Sequence, residues 1–439
     1  MESNFLELKK QADKLRKSKN FEQATPLYRT IWAEHRAECT EPEWEGWCYA
    51  YCLKHLKRFD EALFVCREIM EINPGYNNTA SIYSWCLFHT QIVEATDEET
   101  LLRAANEIIG QSSQDDELSP YVRTVFKVLE FLSNSRGSFP AEKIQEWLGK
   151  LTPETLDSKA FMMKDKFGKP RELASKREQF YVLLARTQYE GGKYNDCQAT
   201  ISEANQVFPT LHNDNETWLK RFDALSYAKK GNFAQAEVLF LEIIKAKPEW
   251  YIYKELAEIY LQQGKKIQAM RSAAEAALDT REPERKLSLY KFIAEMLGER
   301  GNTDAVKKHI EFIYYTRRDR KWKIDAELQA AISIFNINEH AVVDSKFLMR
   351  PLRNLWEQLK YDGLDRHDGA IKSFLPTGTA GFVESSDRKT YYFLTKQFKG
   401  KPEFMIAGQE VTFYVEEGFD VKKNRPSFNA VYIKPVMKR

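Results

Sequence analysis

Cysteine, histidine and long apolar runs are all scarce in this chain, and each shortage excludes something. Six cysteines (Cys39, Cys48, Cys52, Cys66, Cys86 and Cys197) are spread thinly over 439 residues, where a disulfide-stapled domain would crowd them together. Cys48, Cys52 and His55 share a helix face by spacing, but no second pair completes a tetrahedral metal set, so small buried hydrophobes are expected instead. No stretch reaches the roughly 18 apolar residues of a membrane span, and residues 1–20 read as a charged helix rather than a signal peptide. A cytoplasmic protein with no membrane partner is expected. The seven histidines are scattered. A phosphate-binding glycine loop, a dinucleotide fingerprint, HExxH, GxSxG and paired CxxC motifs are all missing. The expectation is therefore no enzyme, no cofactor and no metal.

Charge of one sign is also missing overall, with 66 Lys and Arg against 64 Asp and Glu. The balance conceals an asymmetry. From Arg366 onward, 13 basic residues stand against 8 acidic ones, a net of +5, whereas the preceding 365 residues hold 53 basic and 56 acidic, a net of −3. A basic module on a mildly acidic body suggests a polyanionic partner for the tail.

The body is repetitive. Ala185, Ala224, Ala257 and Ala294 each stand seven residues before a glycine (Gly192, Gly231, Gly264, Gly301) and twelve before Cys197, Ala236, Ala269 or Val306. Antiparallel helices that cross closely need a small side chain on each at the contact, and the turn between them needs a residue that tolerates a left-handed backbone. Tyr260 and Met270 are expected to fill the space around one such contact. Pro209 and Pro248 then stop the second helix. The same phase recurs at Ala12/Ala24 and Ala50/Ala62, the second closed by Pro74. Helical periodicity continues through Ser81–Val93, Glu99–Gly110, Tyr121–Ser133 and Ala141–Leu151, in a divergent phase. After Gly301, helices over 305–315, 324–335 and 347–359 are expected to close the array.

This pattern resembles the tetratricopeptide repeat. The resemblance implies a curved array with a concave groove that takes a protein partner, and such arrays sometimes self-associate, so a homo-oligomer stays open. One groove use is not expected. The chaperone-binding subclass places Asn after the small residue of the first helix to hold a carboxylate, whereas Asp13 and Tyr51 follow Ala12 and Ala50 here.

Near Gly369 the period changes to alternation. Residues 370–374, 381–383, 391–394, 411–415 and 430–433 read as five short strands separated by turn residues, which suits a small closed barrel. Gly369-Ala370-Ile371-Lys372-Ser373-Phe374, Gly381-Phe382-Val383, Tyr391-Tyr392-Phe393, the run Gly408–Glu416 and Asn429-Ala430-Val431 follow the order of a cold-shock domain, which they resemble over roughly a seventh of the chain. That resemblance implies an OB-fold binding single-stranded RNA or DNA by stacking bases on Phe374, Phe382 and Tyr392, with phosphate contacts from Lys372, Arg388, Lys389, Lys399, Lys401, Lys422, Lys423 and Arg425. Ser373, Ala380 and Leu394 depart from it, standing where the family has Trp, Phe and His. A second basic patch, Arg317, Arg318, Arg320, Lys321 and Lys323, is interleaved with Tyr314, Tyr315 and Trp322 and would extend the track.

The expected fold is mainly α, a tetratricopeptide-type helical-hairpin array followed by a five-stranded β-barrel. Its parts are divergent repeats over 1–170, the repeat array with closing helices over 171–345, a linking helix and linker over 346–368, and the barrel over 369–439. Two functions stay open: an adaptor whose barrel holds nucleic acid while the groove recruits a protein, and a protein-interaction scaffold whose barrel is a docking module.

Overall fold

The structure, a computed structural model, describes residues 2–135, 137–341, 343–420 and 425–436, with residues 2–4, 345, 419, 420 and 425 described by their backbone. The chain forms two compact units, Met1–Asn232 and Phe233–Arg439.

The first unit contains helices α1 (Glu2–Lys17), α2 (Phe21–Glu34), α3 (Pro42–His55), α4 (Phe59–Ile72), α5 (Thr79–Leu87), α6 (Glu98–Gly110), α7 (Tyr121–Ser133) and α8 (Ala141–Leu148). A hairpin of β1 (Phe161–Lys164) and β2 (Pro170–Leu173) precedes α9 (Lys176–Glu190), α10 (Tyr194–Val207) and α11 (Asn215–Lys229). The small residues lie where close crossing requires them: Ala12, Ala24, Ala50, Ala62, Ala185 and Cys197 are wholly buried. Turns between paired helices share one device. At the ends of α1, α3 and α9, the residues Lys19, Lys57 and Gly192 adopt φ of 61°, 59° and 75°. The next residue then donates its N–H to the carbonyl five positions back (Asn20 to Leu15, Arg58 to Leu53, Lys193 to Gln188). This closes the helix in a Schellman motif. Glycine adopts that conformation at no steric cost, while Lys19 and Lys57 adopt it at a cost of about 1 kcal/mol each.

The hairpin was not expected from sequence. Nearly all of its strand residues are exposed, including Phe161, Met162 and Met163. Neither face is buried, so the alternation that marks a half-buried strand is absent.

The second unit runs through α12 (Phe233–Ala246), α13 (Trp250–Gln262), α14 (Lys266–Leu278), α15 (Leu287–Glu299), α16 (Thr303–Asp319), α17 (Ala326–Ile334) and α18 (Ser345–Leu359) into β3 (Arg366–Phe374), β4 (Ala380–Ser385), β5 (Thr390–Leu394), β6 (Glu410–Asp420) and β7 (Arg425–Pro435). Gly264 and Gly301 repeat the left-handed turn. The last hairpin departs from the expected register: Ala305 takes the buried place and Val306 is only half-buried. A β-branched side chain is too wide for a close crossing, and the neighbouring alanine fills the contact instead.

Helix α18 caps the array with Trp356. Its buried ring stacks on Tyr290 at 4.9 Å, and its indole N–H donates to His309 Nε2 at 2.9 Å. His309 Nδ1 in turn donates to the Ala305 carbonyl at 2.8 Å, and burial lowers its pKa to about 4. The polar segment after α18 is fixed rather than loose. Arg300 holds the Asp362 carboxylate at 2.6 Å, Arg271 holds the Asp362 carbonyl, and buried Tyr361 stacks on Tyr414 of the barrel at 5.4 Å.

All five expected strands are present, and they close in the order β3-β4-β5-β7-β6, with β6 pairing back to β3. One contact, Tyr392 with Asn429 between β5 and β7, is parallel. Ile371, Val383, Phe393, Val411, Phe413, Ala430 and Ile433 form the barrel core. Gly369 is required by proximity, since a Cβ there would lie 2.2 Å from the Glu384 carbonyl oxygen.

Candidate functional site

On the barrel, period-two alternation projects Phe382 and Tyr392 outward from neighbouring strands. The two are cross-strand partners, half-buried, with ring centroids 5.9 Å apart. Ser373 opposes Phe382 on the third strand and Ala380 opposes Leu394. Phe374 does not share this platform: it packs against the barrel core, edge-on to Phe393 at 6.0 Å.

The surrounding cations are largely neutralised. Lys372 pairs with Glu384, Lys389 with Asp387 at 2.9 Å, Lys399 with Glu357 at 3.2 Å and Lys401 with Glu403 at 3.7 Å. The Ser385 hydroxyl and Lys389 hold the Asp387 carboxyl down at about 2. Arg388 sits in a left-handed turn (φ 65°) and, among the described residues, makes no ion pair. Lys422 and Lys423 lie outside the described residues, as does the side chain of Arg425.

The second basic patch is taken up by the structure itself. Arg317 donates to Asp325 at 2.6 Å. Arg318 donates to the Ala341 carbonyl at 2.7 Å and covers the Tyr315 ring at 4.7 Å, while Arg320 pairs with Glu284 at 2.9 Å. Tyr314 and Tyr315 are buried, and their hydroxyls donate to the carbonyls of Glu339 and Asn338. Lys321 adopts φ of 55°, the same turn as Lys57, and Lys323 lends its carbonyl to Arg317.

A different constellation lies in the first unit. A trench of about 960 Å3 is lined by Trp44, Trp47 and Tyr51 of α3, Trp85 of α5 and Lys54, with the exposed carboxylates of Asp116 and Glu117 on the loop between α6 and α7. Trp44 stacks on Trp47 and Trp47 on Tyr51, both at 5.1 Å. Each central indole is fixed from the following loop, Trp47 donating to the Asn78 carbonyl at 3.0 Å and Trp85 to the Leu118 carbonyl at 2.6 Å. A second cavity of about 670 Å3 adjoins it and is lined by Phe88, Arg123, Phe126, Lys127 and Lys176.

The cations here rest on rings. Lys54 and Arg123 lie 5.9 Å and 5.3 Å from the Trp85 centroid, and Lys176 lies 4.2 Å from that of Phe126. Burial lowers the pKa of both Lys54 and Lys176. None of these three has a carboxylate within ion-pair distance among the described residues, whereas Lys127 pairs with Glu130 at 2.8 Å. His89, stacked on Phe59 at 4.3 Å, has its pKa lowered by burial and by Arg123 and Lys54. Sequence reasoning missed this site. Its signal was the density of Trp and Tyr over residues 44–51, which the repeat spacing of the small residues does not register.

Residues 217–345 match a family model described only as a domain of unknown function, DUF7017. That match covers part of the chain, from α11 to the start of α18. No curated protein matches the sequence. Among solved structures, the chain is similar to a tetratricopeptide repeat protein from Parabacteroides merdae, at 10% identity over 76% of this chain and 100% of that one, with a TM-score of 0.29. It is similar to the C-terminal part of a TPR repeat-containing protein from Cytophaga hutchinsonii, at 12% identity over 65% and 94%, TM-score 0.31. A monomeric mutant of IFIT1 with m7Gppp-AAAA matches at 14% identity over 80% and 81%, TM-score 0.29. The hairpin geometry described above, rather than these loose superpositions, carries the repeat assignment.

Proposed function

We propose that the chain is a non-enzymatic adaptor that grips a protein segment in the trench of its first unit. The observation that carries this reading is the trench itself, an open concave surface on which Trp44, Trp47, Tyr51 and Trp85 are held by backbone carbonyls and by one another. Rigid aromatic side chains bury much area at little entropic cost, which is why they dominate protein-binding surfaces. The reading is tested by purifying the full chain from its own cells after nuclease treatment. A stoichiometric protein retained by the wild type and lost by Trp47→Ala/Trp85→Ala, with the melting temperature of each checked, supports it. Retention that ignores the trench, or that vanishes with nuclease, overturns it.

The barrel supports a second reading, as an OB-fold of cold-shock type that holds single-stranded RNA or DNA. Phe382 and Tyr392 side by side are the specific observation in its favour, along with a five-stranded closed barrel. Anisotropy of labelled single-stranded RNA and DNA with the full chain is the test. Salt-sensitive binding that weakens in Phe382→Ala and in Tyr392→Ala is expected; affinity unchanged in both would remove the stacking platform, and no binding at low salt would make the barrel a protein-docking module.

A further inference from the structure

We infer that the partner's segment is acidic, an extended peptide that runs from the trench into the cavity beside it and whose carboxylates pair with Lys54 in the first and with Arg123 and Lys176 in the second. This deepens the adaptor reading and rests on it. Three cations line adjoining cavities, the trench bounded by Trp85 and the next by Arg123, which covers that same ring. All three are seated on aromatic rings with no carboxylate of their own. Lys54 and Lys176 are half-buried cations without counter-ions, a costly state that their lowered pKa reflects, and Arg123 stands exposed beside them. A ligand that brings carboxylates recovers that cost, because charge-assisted hydrogen bonds strengthen where water is partly excluded.

Ring geometry decides between an acidic peptide and a nucleic acid. Base stacking needs exposed ring faces. Here the faces of Trp44, Trp47 and Tyr51 are turned to one another, at interplanar angles of 12° and 23°, and Trp85 is flanked by Lys54 and Arg123. The rings offer edges and a rigid apolar wall, which suits aliphatic and aromatic side chains between the ligand's carboxylates. The amide side chains of Asn77 and Gln111 line the same trench and suit an extended backbone, while Asp116 and Glu117 on the α6–α7 loop direct the ligand's carboxylates away from themselves and towards the three cations.

The experiment pans a phage-displayed library of random peptides, about twelve residues long and so about 40 Å when extended, against the full-length protein. Recovered sequences are then synthesised with a fluorescein label and titrated. Sequences enriched in Asp and Glu are expected, binding more weakly by about a hundredfold or more to Lys54→Gln/Arg123→Gln/Lys176→Gln and losing affinity as salt rises. The single variant Arg123→Lys retains charge and is expected to recover part of the affinity, which separates charge loss from misfolding. Peptides that bind the trench without acidic enrichment, or with equal affinity to the triple variant, overturn the charge assignment and leave the adaptor reading standing. No enrichment at all overturns both. Displacement of the peptide by single-stranded RNA that depends on the same three cations assigns the trench to nucleic acid.

Discussion

In the trench and the cavity beside it, Lys54, Arg123 and Lys176 rest on aromatic rings; on the barrel, Lys372, Lys389, Lys399 and Lys401 rest against carboxylates. Both regions combine cations with aromatic side chains, and by net charge the barrel segment is the basic one. Net charge counts residues, whereas an anion responds to the local field, and a lysine whose carboxylate neighbour lies about 3 Å away adds little to it. The mildly acidic body therefore holds three cations that lack carboxylate partners, and the basic tail holds four that are already paired. Exposed pairs are weak, about 0–1 kcal/mol each, so a phosphate can still displace one. In doing so it must first separate two charges, a step that Lys54, Arg123 and Lys176 do not require.

The largest expected effect is one that must be separated from binding. His309 is buried with a pKa near 4, below the ordinary 6.5. Its neutral form contributes fully above pH of about 6.5, and that contribution is lost as pH falls towards 4, by about 3 kcal/mol. Urea denaturation of the full chain at neutral and acid pH measures the loss. His309→Gln, which keeps an acceptor for the Trp356 indole, removes most of it. His55 and His89 shift in the same direction, also through burial. The first unit should therefore also weaken in acid, and the trench and barrel are best compared above neutrality.

Charge reversal in the trench comes next. Arg123→Glu is expected to weaken a selected acidic peptide about a hundredfold, through loss of one attraction and gain of a repulsion, while leaving nucleic-acid anisotropy at the barrel unchanged. A parallel loss at both sites would dissolve the comparison. At the barrel, Phe382→Ala/Tyr392→Ala should weaken single-stranded binding about thirtyfold or more, since each stacked base contributes about 1–3 kcal/mol. The smallest effect sharpens the contrast. Lys389→Gln/Lys401→Gln, which removes two paired cations, should change affinity less than about twofold at near-physiological salt. A tenfold loss would show that those lysines leave their carboxylates to meet phosphate.

Much of the fold was legible because it is carried by spacing. Ala–Gly–Ala at intervals of seven and five residues marks a close helix crossing around a left-handed turn, and alternation marks each barrel strand. Features that break those rules were not legible. Lys19, Lys57 and Lys321 occupy the turn position that glycine occupies elsewhere, and nothing in a lysine announces a positive φ. The β1–β2 hairpin buries neither face, so it carries no period. The site was less legible still. Pairing in space decided it: Lys399 meets Glu357 from a helix 42 residues away in sequence, and Arg123 meets Trp85 from a neighbouring repeat. Counting basic residues identified the region richer in charge, and the partners of those charges identified the region poorer in counter-charge.

A double-mutant cycle tests that central distinction most directly. Arg123→Gln in the protein is combined with a glutamate-to-glutamine change in a trench-binding peptide, and the four dissociation constants are measured at one salt concentration. A coupling of about 1 kcal/mol or more between the two changes is predicted, the signature of a charge pair formed only in the complex. Additive effects at every acidic position of the peptide would contradict the account, because the trench cations would then be anchored to their rings and not held ready for a ligand's carboxylates.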